Sequence, residues 1–108
     1  EPGLPEATER VRRAIERDGD AFESAVRQSG FPLLGETLKR PPRGFDPAHP
    51  HIARLMHKSW YLEAPLPDEI AQDGERLPEV AAALFARMRP MNEFINKALY
   101  GYQIPEGY

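Results

Sequence analysis

The chain has 108 residues, 41% hydrophobic and 29% charged, with a formal net charge of −3 and no cysteine. This is the composition of one folded globular domain over residues 1–108, and it excludes a disordered tract, a disulfide framework, a thiolate nucleophile and any cysteine-ligated metal centre. No apolar run approaches the roughly 20 residues a membrane span needs, and a chain that is no polycation is not expected to coat nucleic acid.

The opening residues Glu1-Pro2-Gly3-Leu4-Pro5-Glu6 show neither the basic nor the apolar region of a signal peptide, so a cytoplasmic location is expected. The chain does not begin with Met, and the expectation is a trimmed or fragmentary polypeptide. Pro5 to Arg17 predicts a first helix, with Pro5 in its first turn, Glu6 and Glu9 at the positive end of the dipole, and Val11, Ala14 and Ile15 inward. Asp18-Gly19-Asp20 should stop it. Asp20 then serves as N-cap of a second helix, with Glu23 in capping-box position, Phe22, Ala25 and Val26 inward, and Gly30 as its stop.

Phe31 to Asp46 reads as extended or looped, because Pro41-Pro42 forbids helix and pushes each preceding residue toward extended geometry. Pro50 can open a third helix with Ile52, Leu55 and Met56 inward and Arg54, His57 and Lys58 toward water. Trp60 to Glu63 predicts a short strand that could pair with Thr37–Lys39, and Asp68 to Ala71 a helical turn. Pro78 to Tyr100 carries Val80, Leu84, Met88, Met91, Ile95 and Leu99 at steps of three and four, which makes one long amphipathic helix. A kink is expected at Pro90, and Gly101 ends the helix. The fold class is therefore helix-dominated α+β, about five helices with a short strand pair.

Charge is unevenly spread. Residues 39–58 carry Lys39, Arg40, Arg43, Arg54 and Lys58 against Asp46 alone, a net +4 between flanks of net −3 and −4. Leu38-Lys39-Arg40-Pro41-Pro42-Arg43-Gly44-Phe45-Asp46 is the densest part of this segment, followed by His49-Pro50 and Lys58-Ser59-Trp60. That order resembles the C-terminal half of a bacterial and fungal family known as domain of unknown function 2461. Its members typically read Leu-Lys-Arg-x-Pro-Arg-Gly-Phe, then Asp-x-x-His-Pro, a short helix, and Lys-Ser-aromatic. The likeness runs from about Leu4 to Leu99, with Trp60 standing where a smaller aromatic is more usual. Members are about twice as long, so the resemblance implies a half-domain lacking its N-terminal part. It also implies a missing partner, either that half or a second chain. The family has no assigned activity, and the resemblance carries over no catalytic residue.

The residues themselves point to anion chemistry. A segment stiffened by Pro41-Pro42 loses little entropy on binding, and arginine offers a planar fork matched to carboxylate or phosphate. Lys39, Arg40, Arg43, His49 and Lys58 are the candidate ligand-binding residues, for a small anionic ligand or an acidic protein surface. Two alternatives stand beside this one. In the first, the basic run is an internal staple of a structural or interaction module. In the second, the chain is part of an enzyme whose other catalytic groups lie in the missing half; activity in this chain alone is not expected. His49, His51 and His57 do not converge as metal ligands should, since positions 51 and 57 diverge on a helix. No metal or other cofactor is expected, and no Gly-rich phosphate loop or paired-carboxylate motif occurs.

Met88 and Met91 belong either to the core or to a partner-binding face. In so short a chain, part of the Val80–Leu99 stripe should be covered by a second chain or left exposed. Tyr100, Tyr102, Ile104 and Tyr108 make an aromatic tail, some of which is expected to pack.

Overall fold

A computed structural model describes residues 4–64 and 66–101. Helix dominates it. The first element, α1 (Leu4–Ser29), places Val11, Ala14, Ile15, Phe22, Ala25 and Val26 on one buried face. The break foreseen at Asp18-Gly19-Asp20 is confined to Asp18, whose φ of −127° and ψ of 43° leave helical geometry. The two expected helices are therefore two parts of one element, so there are four helices among the described residues and not about five. Asp20 and Glu23 do not form a capping box. The Asp20 carboxylate pairs with His51 instead, and Glu23 with Arg54. Once the chain continues as helix there are no free N–H groups at Asp20 to cap. Gly19 itself is buried, because the His51 ring occupies the place a Cβ would take.

Gly30, at φ 73°, ends α1 in the left-handed conformation, and its N–H donates to the carbonyl of Arg27. The buried Ser29 hydroxyl donates to the Val26 carbonyl at 2.6 Å and accepts from the N–H of Phe31 at 3.0 Å, which fixes the chain's exit.

A two-stranded antiparallel sheet follows from β1 (Leu33–Leu34) and β2 (Tyr61–Leu62), with Leu33 opposite Leu62 and Leu34 opposite Tyr61. The second strand lies where the sequence indicates, but its partner is Leu33–Leu34 and not Thr37–Lys39. Thr37 forms an isolated bridge with His57. Gly35 separates the two pairings: its φ of 137° bends the chain, and its Cα lies against the backbone of Ser59 with no room for a side chain.

Between the strands, α2 (Ile52–Leu55) is a single turn with Leu55 fully buried. His57, expected to face water, is buried instead. The helix stops after Leu55, and the chain enters the bridge with Thr37, which changes the side-chain phase from 3.6 to 2. A further turn, α3 (Asp68–Ala71), buries Ile70.

The last helix, α4 (Leu77–Tyr100), continues through Pro90 as one element, and Gly101 caps it at φ 75° with its N–H on the Lys97 carbonyl. It packs chiefly against α1. The core joins Val11, Ile15, Phe22, Ala25 and Val26 to Phe45, Leu55 and Met91, with Phe94, Ile95, Ala98 and Leu99 packed against it. Phe22 meets Phe94 edge to face at 5.3 Å. Of the six apolar stripe residues, Met91 alone is fully buried and the others are partly exposed. Tyr100 is half-exposed, and Tyr102, Ile104 and Tyr108 lie outside the described residues.

Candidate functional site

The basic loop, residues 38–45, is held at its base by backbone and at its far end by aromatic packing. The Leu38 N–H donates to the Met56 carbonyl at 2.7 Å, and the Lys58 N–H to the Glu36 carbonyl at 2.7 Å. Pro42 is buried, so one of the two prolines anchors the segment while Pro41 stays outside. Phe45 is buried beneath the guanidinium of Arg13, which sits 4.2 Å from the ring centroid. Arg13 Nη1 also donates to the Gly44 carbonyl at 3.3 Å. Gly44 adopts φ 84°, a conformation that favours glycine and delivers Phe45 to the core.

After the loop, Asp46 closes a tight turn by accepting the Ala48 N–H at 2.9 Å. His49 then links the turn to α1. Its Nε2 lies 3.1 Å from the Glu16 carbonyl, and its Nδ1 accepts the His51 N–H at 3.0 Å. A carbonyl only accepts and a backbone N–H only donates, so in these contacts Nε2 donates to Glu16 and Nδ1 accepts from His51. Both ring nitrogens are thereby spent on backbone. His49 positions the loop and has no nitrogen left for a ligand.

The floor of this region is arginine-rich. Arg12 donates through Nε to the Leu55 carbonyl at 2.9 Å and through Nη2 to the His57 carbonyl at 3.0 Å. Burial pulls its pKa below the usual range, against the opposing charge of Glu9. Arg54 pairs with Glu23 at 2.6 Å, and its carbonyl accepts the Trp60 indole N–H at 2.8 Å. His57 lies roughly parallel to Trp60, 6.3 Å between centroids, with its Nδ1 3.1 Å from the Ser59 carbonyl. Its pKa is lowered, chiefly by burial and further by the charge of Arg54, while the bond to Ser59 opposes the shift.

Lys39, Arg40 and Arg43 stand apart from all of this. All three are exposed and none makes an ion pair or side-chain hydrogen bond among the described residues. Lys58 has only a loose contact with Glu36, 3.9 Å apart with both side chains largely in solvent. The stapling role falls to Arg54 within the basic segment and to Arg12 and Arg13 outside it. Sequence reasoning passed over Arg12 and Arg13, and little could have marked Arg12, whose partner carbonyls lie 43 and 45 residues away along the chain.

The concave features lie elsewhere. An open pocket of about 670 Å³ sits at the α1 break between Glu16, Asp18, Asp20, His49 and His51, and one of about 470 Å³ between α1 and α4 beside Arg17, Phe94 and Lys97. Lys39, Arg40 and Arg43 line neither of these two, and all three side chains are exposed. Among the described residues no three His, Cys, Asp or Glu side chains gather where they could hold a metal ion. Among them, too, no helix is long and apolar enough to cross a membrane.

A family model described as a conserved hypothetical protein, DUF2461, matches residues 3–94. The chain belongs to DUF2461. The match takes in α1, the basic loop, both strands and most of α4. Comparison with curated proteins and with solved structures gave no match.

Proposed function

We propose that this DUF2461 chain is a binding module that recognises clustered negative charge through Lys39, Arg40 and Arg43, with Lys58 at the flank. The observation that supports it is the combination of three exposed cations, unpaired among the described residues, with a loop fixed from below. Leu38, Pro42 and Phe45 tie the backbone down, and Arg13 and His49 hold its far end. Such a loop spends little conformational entropy on binding. Cations this exposed suit a partner that brings its anions to them, so the preferred target is an acidic protein surface and not a buried small molecule. Exposed charges at physiological ionic strength are screened within about 8–10 Å, so the interaction should weaken steeply with salt.

The test is titration of Arg40→Ala and Arg43→Ala against an acidic peptide, citrate and inorganic phosphate at low and high salt, with melting curves in parallel. Each substitution should weaken acidic-peptide binding by roughly tenfold, the loss of a charge-assisted contact, while the melting temperature holds. Unchanged binding to every probe sinks the proposal. Tighter binding of citrate or phosphate than of the peptide would move it to a small-molecule ligand.

A further inference from the structure

The outer face of α4 has two characters. Ahead of Arg89 it carries Ala82, Ala83, Phe85 and Ala86, all exposed, with Phe85 at 68% accessibility. Beyond Arg89 it carries the polar Asn92 and Asn96, while Glu93 and Lys97 border the groove with α1. The apolar half is also the half with least cover. Arg87 reaches the last residue of α1, donating to the Ser29 carbonyl at 2.8 Å, so the turns before it extend past the end of α1. There Val80, Leu84 and Met88 are only partly buried, and α3 packs near the start of the helix. A protruding phenylalanine flanked by three alanines has the shape of a helix–helix contact: small residues let a second helix approach closely, and the ring supplies the area to be buried.

The charges bounding this patch are complementary to those of a second copy of the same helix. Glu79 precedes it and Arg89 follows it, and neither has an ion-pair partner among the described residues. On a helix, positions 79, 82, 86 and 89 lie within one sector, and they are symmetric about position 84. If a second α4 is laid antiparallel across that point, Ala82 falls opposite Ala86 of the other copy and Glu79 opposite its Arg89. A parallel arrangement would set Glu79 against Glu79 and Arg89 against Arg89. We infer that two copies of this chain associate about a two-fold axis through the Glu79–Arg89 face of α4, in antiparallel register, with Phe85 of each covered by the alanines of the other. Such a contact is isologous and closes on itself, so it makes dimers and not filaments. Three turns of helix are a small interface, and the dimer should be weak, with a Kd on the order of 10–100 µM.

Sedimentation equilibrium of the full chain from about 5 µM to about 1 mM spans that range. The wild type should pass from monomer to dimer. Phe85→Glu should weaken association at least tenfold with its helical circular dichroism unchanged. Glu79→Lys should also weaken it, and Glu79→Lys with Arg89→Glu in one chain should restore it; this charge exchange lies wholly on the surface and so reads the register even if the Phe85 variant folds poorly. A monomer at every concentration overturns the inference. So does a dimer indifferent to Phe85 and to the charge exchange, or a monomer whose Phe85 is shielded from solvent, which would make another segment of polypeptide the occupant of this face.

Discussion

Arg12 and Arg40 are the same side chain put to opposite uses within one small region. Arg12, with Arg13 and Arg54 beside it, reaches across the fold to a carbonyl or a carboxylate and is partly buried there. Burial lowers its pKa, and two backbone carbonyls stand in for part of its water. Arg40, with Lys39 and Arg43, keeps its water and has no bonded partner among the described residues. The first group is spent on holding the loop; the second is left available by it. Within residues 38–58 a count of basic residues could not separate Arg54 from Arg40, because the difference lies in what stands opposite each one in space.

The sharpest way to break this contrast is Arg12→Met. Removing a charged donor from two partly buried carbonyls should lower stability by about 3 kcal/mol in urea denaturation. A loss as small as that of a surface substitution would make Arg12 an ornament of the loop and erase the distinction. Arg54→Gln comes next. The Arg54–Glu23 pair is partly buried and short, and a double-mutant cycle with Glu23→Gln should give a coupling of about 1 kcal/mol, above that of an exposed pair.

The third test uses pH. His57 has a folded-state pKa below its unfolded value of about 6.5. Between the two values the unfolded chain binds the proton and the folded one does not, so the stability contributed by neutral His57 is complete above about pH 6.5 and declines as pH falls toward the folded pKa. Melting temperature should therefore drop on acidification below that point, and His57→Gln should flatten the slope in that window. An unchanged slope would place the acid sensitivity elsewhere. The smallest expected effects belong to Arg40→Ala and Arg43→Ala, each within about 0.5 kcal/mol of wild type, as for surface substitutions without partners. A larger loss in either would move that residue into the first group.

Where periodicity carried the argument, sequence and structure agree closely. The stripe from Val80 to Leu99 marks α4 to within a residue at its start, and Phe22, Ala25 and Val26 lie inward as their spacing requires. Disagreements arise where local signals compete with tertiary contacts. Asp20 and Glu23 have the spacing of a capping box, but His51 and Arg54, roughly thirty residues on, take both carboxylates and α1 runs through. Leu33–Leu34 takes the place of Thr37–Lys39 as the strand partner, and Thr37 pairs further back with His57, with Gly35 tight against Ser59 between the two pairings. In the candidate site, the exposed cations were legible from the charge run. The clamp beneath them was not, since Arg12 and Arg13 reach their carbonyls through contacts that no local window contains.

The seat of the His51 ring against Gly19 ties two distant positions into one evolutionary variable. Any side chain at position 19 would run into the imidazole, so residue 19 can grow only if residue 51 shrinks. Shrinking it also gives up the contact with Asp20 at 3.1 Å, which joins a third position to the pair. A lineage leaving this arrangement must therefore cross a strained intermediate, Gly19→Ala with His51 still in place, or a loosened one, His51→Ala with Gly19 still in place. Combined in one chain, the two substitutions should cost less than the sum of their separate effects, and among relatives these positions should be found to change together.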